Sequence, residues 1–497
     1  MINTPSSRSS NPAIAAFLSF LFPGLGQAYA GERRLAAMFA LPIVVLVLAG
    51  LVAAMLGGRQ ALNSLLSASF LTSVIALNVA LMAWRLFAIA NVGFRRAGMS
   101  EAAPATPTAS GTHELASSRR VGRLALVALL MVMTVAMHAW AGLVVGQLST
   151  TLDNVFSDSG RGGPSGGEPR GGNSGPLNVP EFAWDGTDRI NFLLLGIDAG
   201  PGREKSLTDT ILAISIDPAG KTAVMISVPR DTGFLPLPDR SVYPDGLYPK
   251  KINALSTEAG GDPARWCPDL SATAAKACGL RTLERSIGLY LGIPIQYYAT
   301  VDLEGFTRII DAVGTLNLCL PGKLVAPIYN GPGDTWGPRR GVELPAGCTE
   351  YDGIHALAFA RAREGWMEFP DGTRDLLDDF QRAKRQQELL LELRREFAQF
   401  GIFELPEMLE AIGSTVETDF PRARIGDLAS LLPLIAGPDI ERLVLGLPKF
   451  VDPPLEPRVN YMLIPRREDL RAEMERLFGR ANLEGWYIAS REPGPES

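Results

Sequence analysis

The sequence predicts an α/β domain, a layered sheet flanked by helices, preceded by an α-helical multi-span membrane region. Three observations carry that prediction. Long uncharged runs are confined to residues before 149. The later part alternates apolar runs of strand length with segments of helical periodicity. All four cysteines, Cys267, Cys278, Cys319 and Cys348, lie in that later part. A chain of 497 residues with 46% hydrophobic content is also too long for one ordinary domain and too apolar to be uniformly soluble. Its net charge of -6 gives no whole-chain basic signature, so nucleic acid is not an expected partner and any anion site must be local.

Residues 124–148 contain no Asp, Glu, Lys or Arg and exceed the roughly 20 helical residues that cross a bilayer core. Residues 35–58 form a second uncharged run, and residues 60–84 a third that continues past Arg85 to Phe94. Arg85 is expected at an interface or against protein. An earlier apolar stretch, residues 13–30, is interrupted by Pro23, Gly24 and Gly26, which fits either a broken span or a re-entrant segment. The stretch from Phe22 to Gly31 resembles the opening of small two-helix membrane modules of the TM2 type. Further spans follow a weakly charged N-terminus, so a cleaved signal peptide is not expected.

Basic residues set the orientation, because short cytoplasmic loops carry excess Lys and Arg. Arg33 and Arg34, and then Arg95, Arg96, Arg119, Arg120 and Arg123, mark two cytoplasmic loops, while residues 59–67 hold one basic residue. The chain after about residue 149 is then extracytoplasmic, anchored in a membrane by a multi-pass region. Clustered, even-numbered cysteines agree with an oxidising compartment. Neighbour pairing, Cys267 with Cys278 and Cys319 with Cys348, is favoured among three connectivities. A zinc site is the rival, disfavoured by wide spacings and by only three histidines, His113, His138 and His355.

The expected organisation is a polytopic region over 1–99, a cytoplasmic linker over 100–121 and a transmembrane helix over 122–148. A Gly/Ser/Pro linker follows over 149–187, then a catalytic domain over 188–404 and a C-terminal extension over 405–497. About 25 flexible linker residues reach roughly 25 to 30 Å, enough to place a domain at the membrane surface.

Within the aqueous part, residues 190–197 read as a buried strand ending at Asp198. Thr208-Asp209-Thr210 reads as a loop before a strand over 211–216, and residues 223–228 as a strand before Pro229-Arg230-Asp231. Strand ends would thus deliver Asp198, Asp209, Arg230 and Asp231 to loops, where sites of open α/β sheets lie. The same acids equally suit turns and caps. Residues 282–291 and 303–313 read as helices around a strand over 297–301, with Phe306, Ile309 and Ile310 on one face. Residues 351–358 read as a short helix with Asp352 as N-cap. An extended 359–363 would then point Arg361 and Arg363 the same way, around an anion or into solvent as an edge strand. Residues 379–400 read as a long helix with Asp379, Arg382 and Gln386 on one face and Leu389, Leu390 and Leu393 buried. An apolar helix over 425–435 and a Pro-rich stretch near Pro453 would pack on the domain.

Taken in order, these segments resemble the LytR-CpsA-Psr family over residues 190–397. The resemblance rests on Leu195-Gly-Ile-Asp198, Thr208-Asp-Thr210, Ser227-Val-Pro-Arg-Asp231, Lys251-Ile-Asn253 with Gly260-Gly261, Gly292-Ile-Pro294 with Asp302, Ala360-Arg-Ala-Arg363, and the run from Asp379 to Gln386. It implies an enzyme that transfers a glycan phosphate from a polyprenyl diphosphate donor to an envelope acceptor such as peptidoglycan. It also implies a hydrophobic groove for the lipid and a charged mouth for the diphosphate. Asp198 and Asp209 correspond to magnesium ligands, and Arg230, Arg361, Arg363, Arg382 and Gln386 to the diphosphate set, to which Lys205 and Arg385 are added as substrate-binding residues. Such chemistry needs charge neutralised on phosphate oxygens, which Mg2+ and Arg forks supply. Asp231 is the candidate base. The sequence departs from the family at Leu207, where an Arg is usual, and Lys205 or Arg203 would have to reach that anion. Two other readings share these residues: a polyprenyl diphosphate hydrolase, and a non-catalytic polyprenyl-lipid-binding regulatory protein.

Overall fold

A helix that exposes Leu and Val on every side has no stable place in water, and the first of two units is made of such helices. The structure, a computed structural model, describes residues 11–56, 64–99, 112–156, 188–198, 207–268, 275–329, 341–397, 405–424, 427, 431, 440–453, 461–480 and 483. The first unit is residues 1–149 and the second 150–497.

In the first unit α1 (Pro12–Leu21) opens with the Asn11 side chain accepting from Ala13 N and with proline at its first position. The chain breaks at Phe22–Gly24, as the Pro and Gly residues there predict, and resumes in α2 (Leu25–Tyr29). Gly24 has φ 101°, and a Cβ on Gly26 would lie 2.0 Å from the Ala15 carbonyl, so the two short helices cross too closely for any side chain. Then come α3 (Arg33–Leu56), α4 (Ala68–Met99) and α5 (Thr112–Val155). Each of these three carries an apolar stretch long enough to cross a membrane. Arg85 lies against protein, donating to the Phe20 and Leu21 carbonyls at 3.1 Å and so satisfying the end of α1. The third apolar run is helical from Ala68, where Ser67 accepts from Phe70 N and caps the helix, while residues 57–63 lie outside the described residues.

Both expected linkers are shorter than the sequence reading gave them. The helix α5 begins at Thr112, inside the expected 100–121 linker, since an apolar run once helical propagates into its neighbours. It also runs to Val155, past the expected start at 149, because Thr151, Leu152 and Val155 are buried in the second unit and Phe156 packs on Phe420. Residues 100–111 and 157–187 lie outside the described residues.

The second unit is organised by a six-stranded sheet. Its strands are β1 (Ile190–Asp198), β2 (Leu207–Asp217), β3 (Thr222–Ser227) and β4 (Tyr297–Asp302), with β11 (Val416–Thr418) and β12 (Ile440–Val444) at the two edges. The order is β11-β4-β1-β2-β3-β12, with β1–β4 and β3–β12 parallel and the other pairs antiparallel. Alternation along β1 puts Leu193 and Leu195 in a core with Ile211, Ile226 and Tyr298, covered by α6 (Leu255–Gly261) and α7 (Ala275–Leu291). Phe192 and Leu194, of the opposite parity, line an apolar cavity of about 250 Å³ with Ile214, Met225, Ala299 and Ile440.

Beyond β4, α8 (Leu303–Val313) is capped by Asp302 accepting from Gly305 N, with the bounds that its periodicity predicts. A hairpin of β5 (Leu316–Leu320) and β8 (Gly347–Tyr351) sets Cys319 opposite Cys348, and the structure bonds that pair and Cys267 to Cys278 as expected. Four further strands, β6 (Lys323–Ala326), β7 (Val342–Leu344), β9 (Trp366–Glu368) and β10 (Arg374–Leu376), form a small sheet. Next to it lie α9 (Gly353–Arg361) and α10 (Asp379–Phe397).

Three sequence expectations need correction. Residues 359–361 are helical, not extended, because Phe359 and Ala360 are buried against Leu389 and continue the helix that Asp352 caps. Thr208, Asp209 and Thr210 lie within β2, which pairs with β1 along its whole length. The boundary at residue 404 is too early, since β11 and β12 complete the main sheet and supply the backbone partners its edges need. The helix expected over 425–435 lies outside the described residues apart from 427 and 431.

The Glu258 carboxylate on α6 accepts from the Tyr243 and Tyr248 hydroxyls at 2.9 Å and from Lys250 Nζ at 2.7 Å. Burial opposes its charge, but the three donors outweigh it and hold the carboxyl below its ordinary value. A depressed folded-state value adds stability that is present above the unfolded pKa and disappears as pH falls through the folded one. Glu258→Gln is therefore expected to be less stable than wild type near neutrality, the gap closing between about pH 5 and about pH 3. Thermal unfolding across that range checks it; a constant gap would count against the ionic network.

Candidate active site

Three elements bring charge to one end of the sheet. Strand β1 ends in Asp198, and its register with β2 shifts there: Gly196 faces Thr210 and Ile197 faces Thr208, which leaves Asp209 opposite no residue. Such a bulge re-aims the extra side chain. Gly196 is required beside it, since a Cβ there would come within 2.8 Å of the Thr210 side chain.

Arg230 follows β3 and donates through Nη1 to Asp209 at 2.7 Å, while its Nε lies 3.4 Å from Asp379 at the start of α10. Arg382, one turn along, is 3.3 Å from Asp379 and donates to the Asp209 carbonyl at 3.3 Å. The helix α10 is fixed on the sheet by Gln387, which donates to Ser227 Oγ at 2.9 Å and to the Leu443 carbonyl at 3.0 Å. Asp209, Arg230, Asp379 and Arg382 thus form one chain of alternating charge, buried at Arg382 and partly exposed at the other three. Burial works against the Arg230 charge, but Asp209 and Asp379 outweigh it and raise its pKa. Burial lowers that of Arg382, with Arg230 repelling it and Asp379 only partly compensating. An anion arriving beside Arg382 would be stabilised by a cation already stripped of water.

Arg361, the last residue of α9, stands 3.8 Å from Asp198. Arg363 is beyond the helix, 42% exposed, with Glu364 at 3.7 Å. The two guanidiniums are therefore not a same-face pair of an extended strand. Arg363 instead lines a second cavity of about 480 Å³ with Leu207, Arg230, Asp231, Lys250 and Lys251. In that cavity Asp231 is 6% exposed and paired to Lys251 at 2.9 Å.

Arg385 and Gln386 do not extend this surface. Arg385 donates to the Phe359 carbonyl at 2.8 Å and to the Ala362 carbonyl, and Gln386 donates to the Ala360 carbonyl at 3.2 Å. These are the C-terminal carbonyls of α9, which have no partner within the helix. Burial lowers the Arg385 pKa to about 10, with Arg382 adding to the effect. The role assigned to Arg385 from sequence is therefore corrected: its buried guanidinium is committed to the end of the helix that carries Arg361. Lys205 and Arg203 lie outside the described residues, and His355 is held by Asp352 on the exposed side of α9.

Sequence reasoning missed Asp379 as the second partner of Arg230, and missed Lys250 and Lys251 as cavity residues. Lys251 had a signal, since it opens one of the motifs quoted above. Lys250 had none.

The model of the LytR_cpsA_psr family matches residues 171–448 of the chain. The polyisoprenyl-teichoic acid–peptidoglycan teichoic acid transferase TagU of Oceanobacillus iheyensis is 29% identical over 248 residues, 48% of this chain and 62% of that protein. The cell wall biosynthesis protein LcpA of Corynebacterium glutamicum is 28% identical over 213 residues, 43% of this chain and 37% of that protein. The chain thus spans less than two thirds of either relative. A crystal structure of Bacillus subtilis TagV is 23% identical and covers 59% of this chain and 96% of that one, with a TM-score of 0.42.

Replacing Arg385 with Ala leaves two buried carbonyls without their donor. The variant is expected to lose about 1–3 kcal/mol of stability, read by urea unfolding of the full-length protein in detergent. Unchanged stability with lost substrate binding would restore the role read from sequence.

Proposed function

The chain belongs to the LytR_cpsA_psr family, and on that premise we propose that its second unit is a phosphotransferase that moves a glycan phosphate from a polyprenyl diphosphate donor to a cell envelope acceptor such as peptidoglycan. The observation that carries the reading is the sharing of strands between an apolar cavity and a charged cluster. Phe192 and Leu194 line the cavity, Gly196 carries no side chain, and Asp198 ends the same row of β1. Asp198 lies four residue steps beyond Leu194, about 13 Å at ~3.3 Å per residue. An amphiphile with an apolar tail and an anionic head suits that row, and the Arg230, Arg361 and Arg382 guanidiniums suit the head.

In this reading a hydroxyl oxygen of the acceptor attacks the glycan-side phosphorus, and the bond from that phosphorus to the bridging oxygen breaks. Polyprenyl monophosphate leaves with the bridging oxygen, and the hydroxyl proton passes to Asp231 or to solvent. Arg230 and Arg382 hold phosphate oxygens from one side and Arg361 from the other. Asp231 is oriented by Lys251.

Among the described residues no group of three or more His, Cys, Asp or Glu is arranged to hold a metal. Two carboxylates completed by phosphate oxygens and water are, however, the set that magnesium commonly takes. Asp198 and Asp209 would supply those two, and the ion would neutralise charge on the diphosphate. The three apolar helices of the first unit anchor the chain as a multi-pass protein of a bacterial plasma membrane in this proposal, with the second unit extracytoplasmic.

The test uses the full-length protein in detergent with a polyprenyl diphosphate-linked sugar, a peptidoglycan acceptor and magnesium, following release of polyprenyl monophosphate. Arg361→Ala is expected to lower turnover by about a hundredfold or more, the usual scale for losing a donor that meets developing charge. An Asp198→Asn variant, which leaves the Arg230–Asp209 pair intact, is expected to need far more magnesium or to be inactive. Wild-type-like turnover in both would sink the proposal, and release without any acceptor would convert it to a hydrolase.

A further inference from the structure

The site has a wall that the matched family region does not include. Residues 461–463, beyond the matched 171–448, run beside Asp231–Gly233: Leu463 N donates to the Asp231 carbonyl at 2.8 Å, and Gly233 N to the Leu463 carbonyl at 3.0 Å. Met462 and Leu463 are 8% and 2% exposed, whereas Tyr461 is 43% exposed. The Lys251 ammonium lies over the Tyr461 ring, 5.7 Å from its centroid. Lys251, over which the ring lies, is itself a lining residue of the 480 Å³ cavity, together with Asp231.

We propose that Tyr461 is the platform on which a sugar ring of the glycan stacks as it enters the charged cavity, with Lys251 and Asp231 reading its hydroxyls. The inference rests on the transferase reading above. A sugar ring has an apolar face of C–H groups and an edge of hydroxyls, so it needs an aromatic face and a polar rim together. Lys251 lies over the tyrosine ring, which is 43% exposed. Its ammonium donates, and the Asp231 carboxylate accepts, which covers both halves of a hydroxyl's capacity. The main-chain ladder from Leu463 to Asp231 and Gly233 anchors the segment two residues beyond Tyr461 beside the site.

The test compares two donors on the full-length protein in detergent: polyprenyl diphosphate carrying one N-acetylglucosamine, and polyprenyl diphosphate without sugar. Tyr461→Ala is expected to raise KM for the sugar-bearing donor about three- to tenfold with kcat little changed, the scale of one aromatic contact. Its effect on binding of the sugar-free lipid is expected to be nil. Tyr461→Phe and Tyr461→Trp are expected to keep the wild-type KM, because the face and not the hydroxyl does the binding. An unchanged KM in Tyr461→Ala, an equal loss for both lipids, or a loss in Tyr461→Phe would each overturn the platform. Absence of wild-type turnover of the sugar-bearing donor in the presence of an acceptor would instead strike the transferase reading, so the two failures are distinguishable.

Discussion

The Arg230 guanidinium is the point on which the rest of the site depends. It joins the bulge of β2, the end of β3 and the start of α10 through two carboxylates, Asp209 and Asp379, at 11% side-chain exposure. A buried cation with two partners is tolerable, and one that loses a partner typically costs about 3–5 kcal/mol. Neither Asp209 nor Asp379 can therefore change without disturbing the docking of α10. That coupling makes Arg230 variants poor probes of catalysis, because lost activity and lost structure would come together. Arg361, reached from another helix and touching the cluster only through Asp198 at 3.8 Å, separates the two effects better.

The helix α10 divides its polar residues between two tasks. Asp379 and Arg382 face the sheet end and complete the charged chain, while Arg385 and Gln386, one turn on, close the C-terminus of α9. Gln387 pins the same helix to β3 and β12. Arg361 owes its position to this arrangement, since it is the final residue of a helix whose open carbonyls are satisfied from α10. Two successive helices are thus locked end to side, and the lock brings Arg361 to Asp198 and Arg382 to Asp209 at the same end of the sheet.

What was legible in the sequence follows from where the information resides. The bounds of α8 and the core of β1 came directly from periodicity, since Phe306, Ile309 and Ile310 or Leu193 and Leu195 record local burial. The cysteine pairs were legible because near neighbours in sequence are also neighbours in the fold. The bulge at Asp209 was not, since it exists only in the register with β1. Arg385 carried the same basic signature as Arg382, and only the position of the α9 carbonyls tells a capping arginine from an anion-binding one. The edge strands β11 and β12, three and five residues long, were hidden in segments whose strand character comes from their partners.

Tyr461 shows the same limit from the other side. Its sequence neighbourhood holds no motif, and it reaches the site through a pairing across more than two hundred residues of chain. On the transferase reading a diphosphate would meet guanidiniums whatever sugar it carried, and the charged chain lies within the matched residues 171–448. The sugar is where one such protein must differ from another. A residue that reads the sugar is then expected outside the shared machinery, on an element that can vary without disturbing Arg230 and its carboxylates. The C-terminal segment meets that condition, because it is attached to the site by main-chain hydrogen bonds that any side-chain sequence can make.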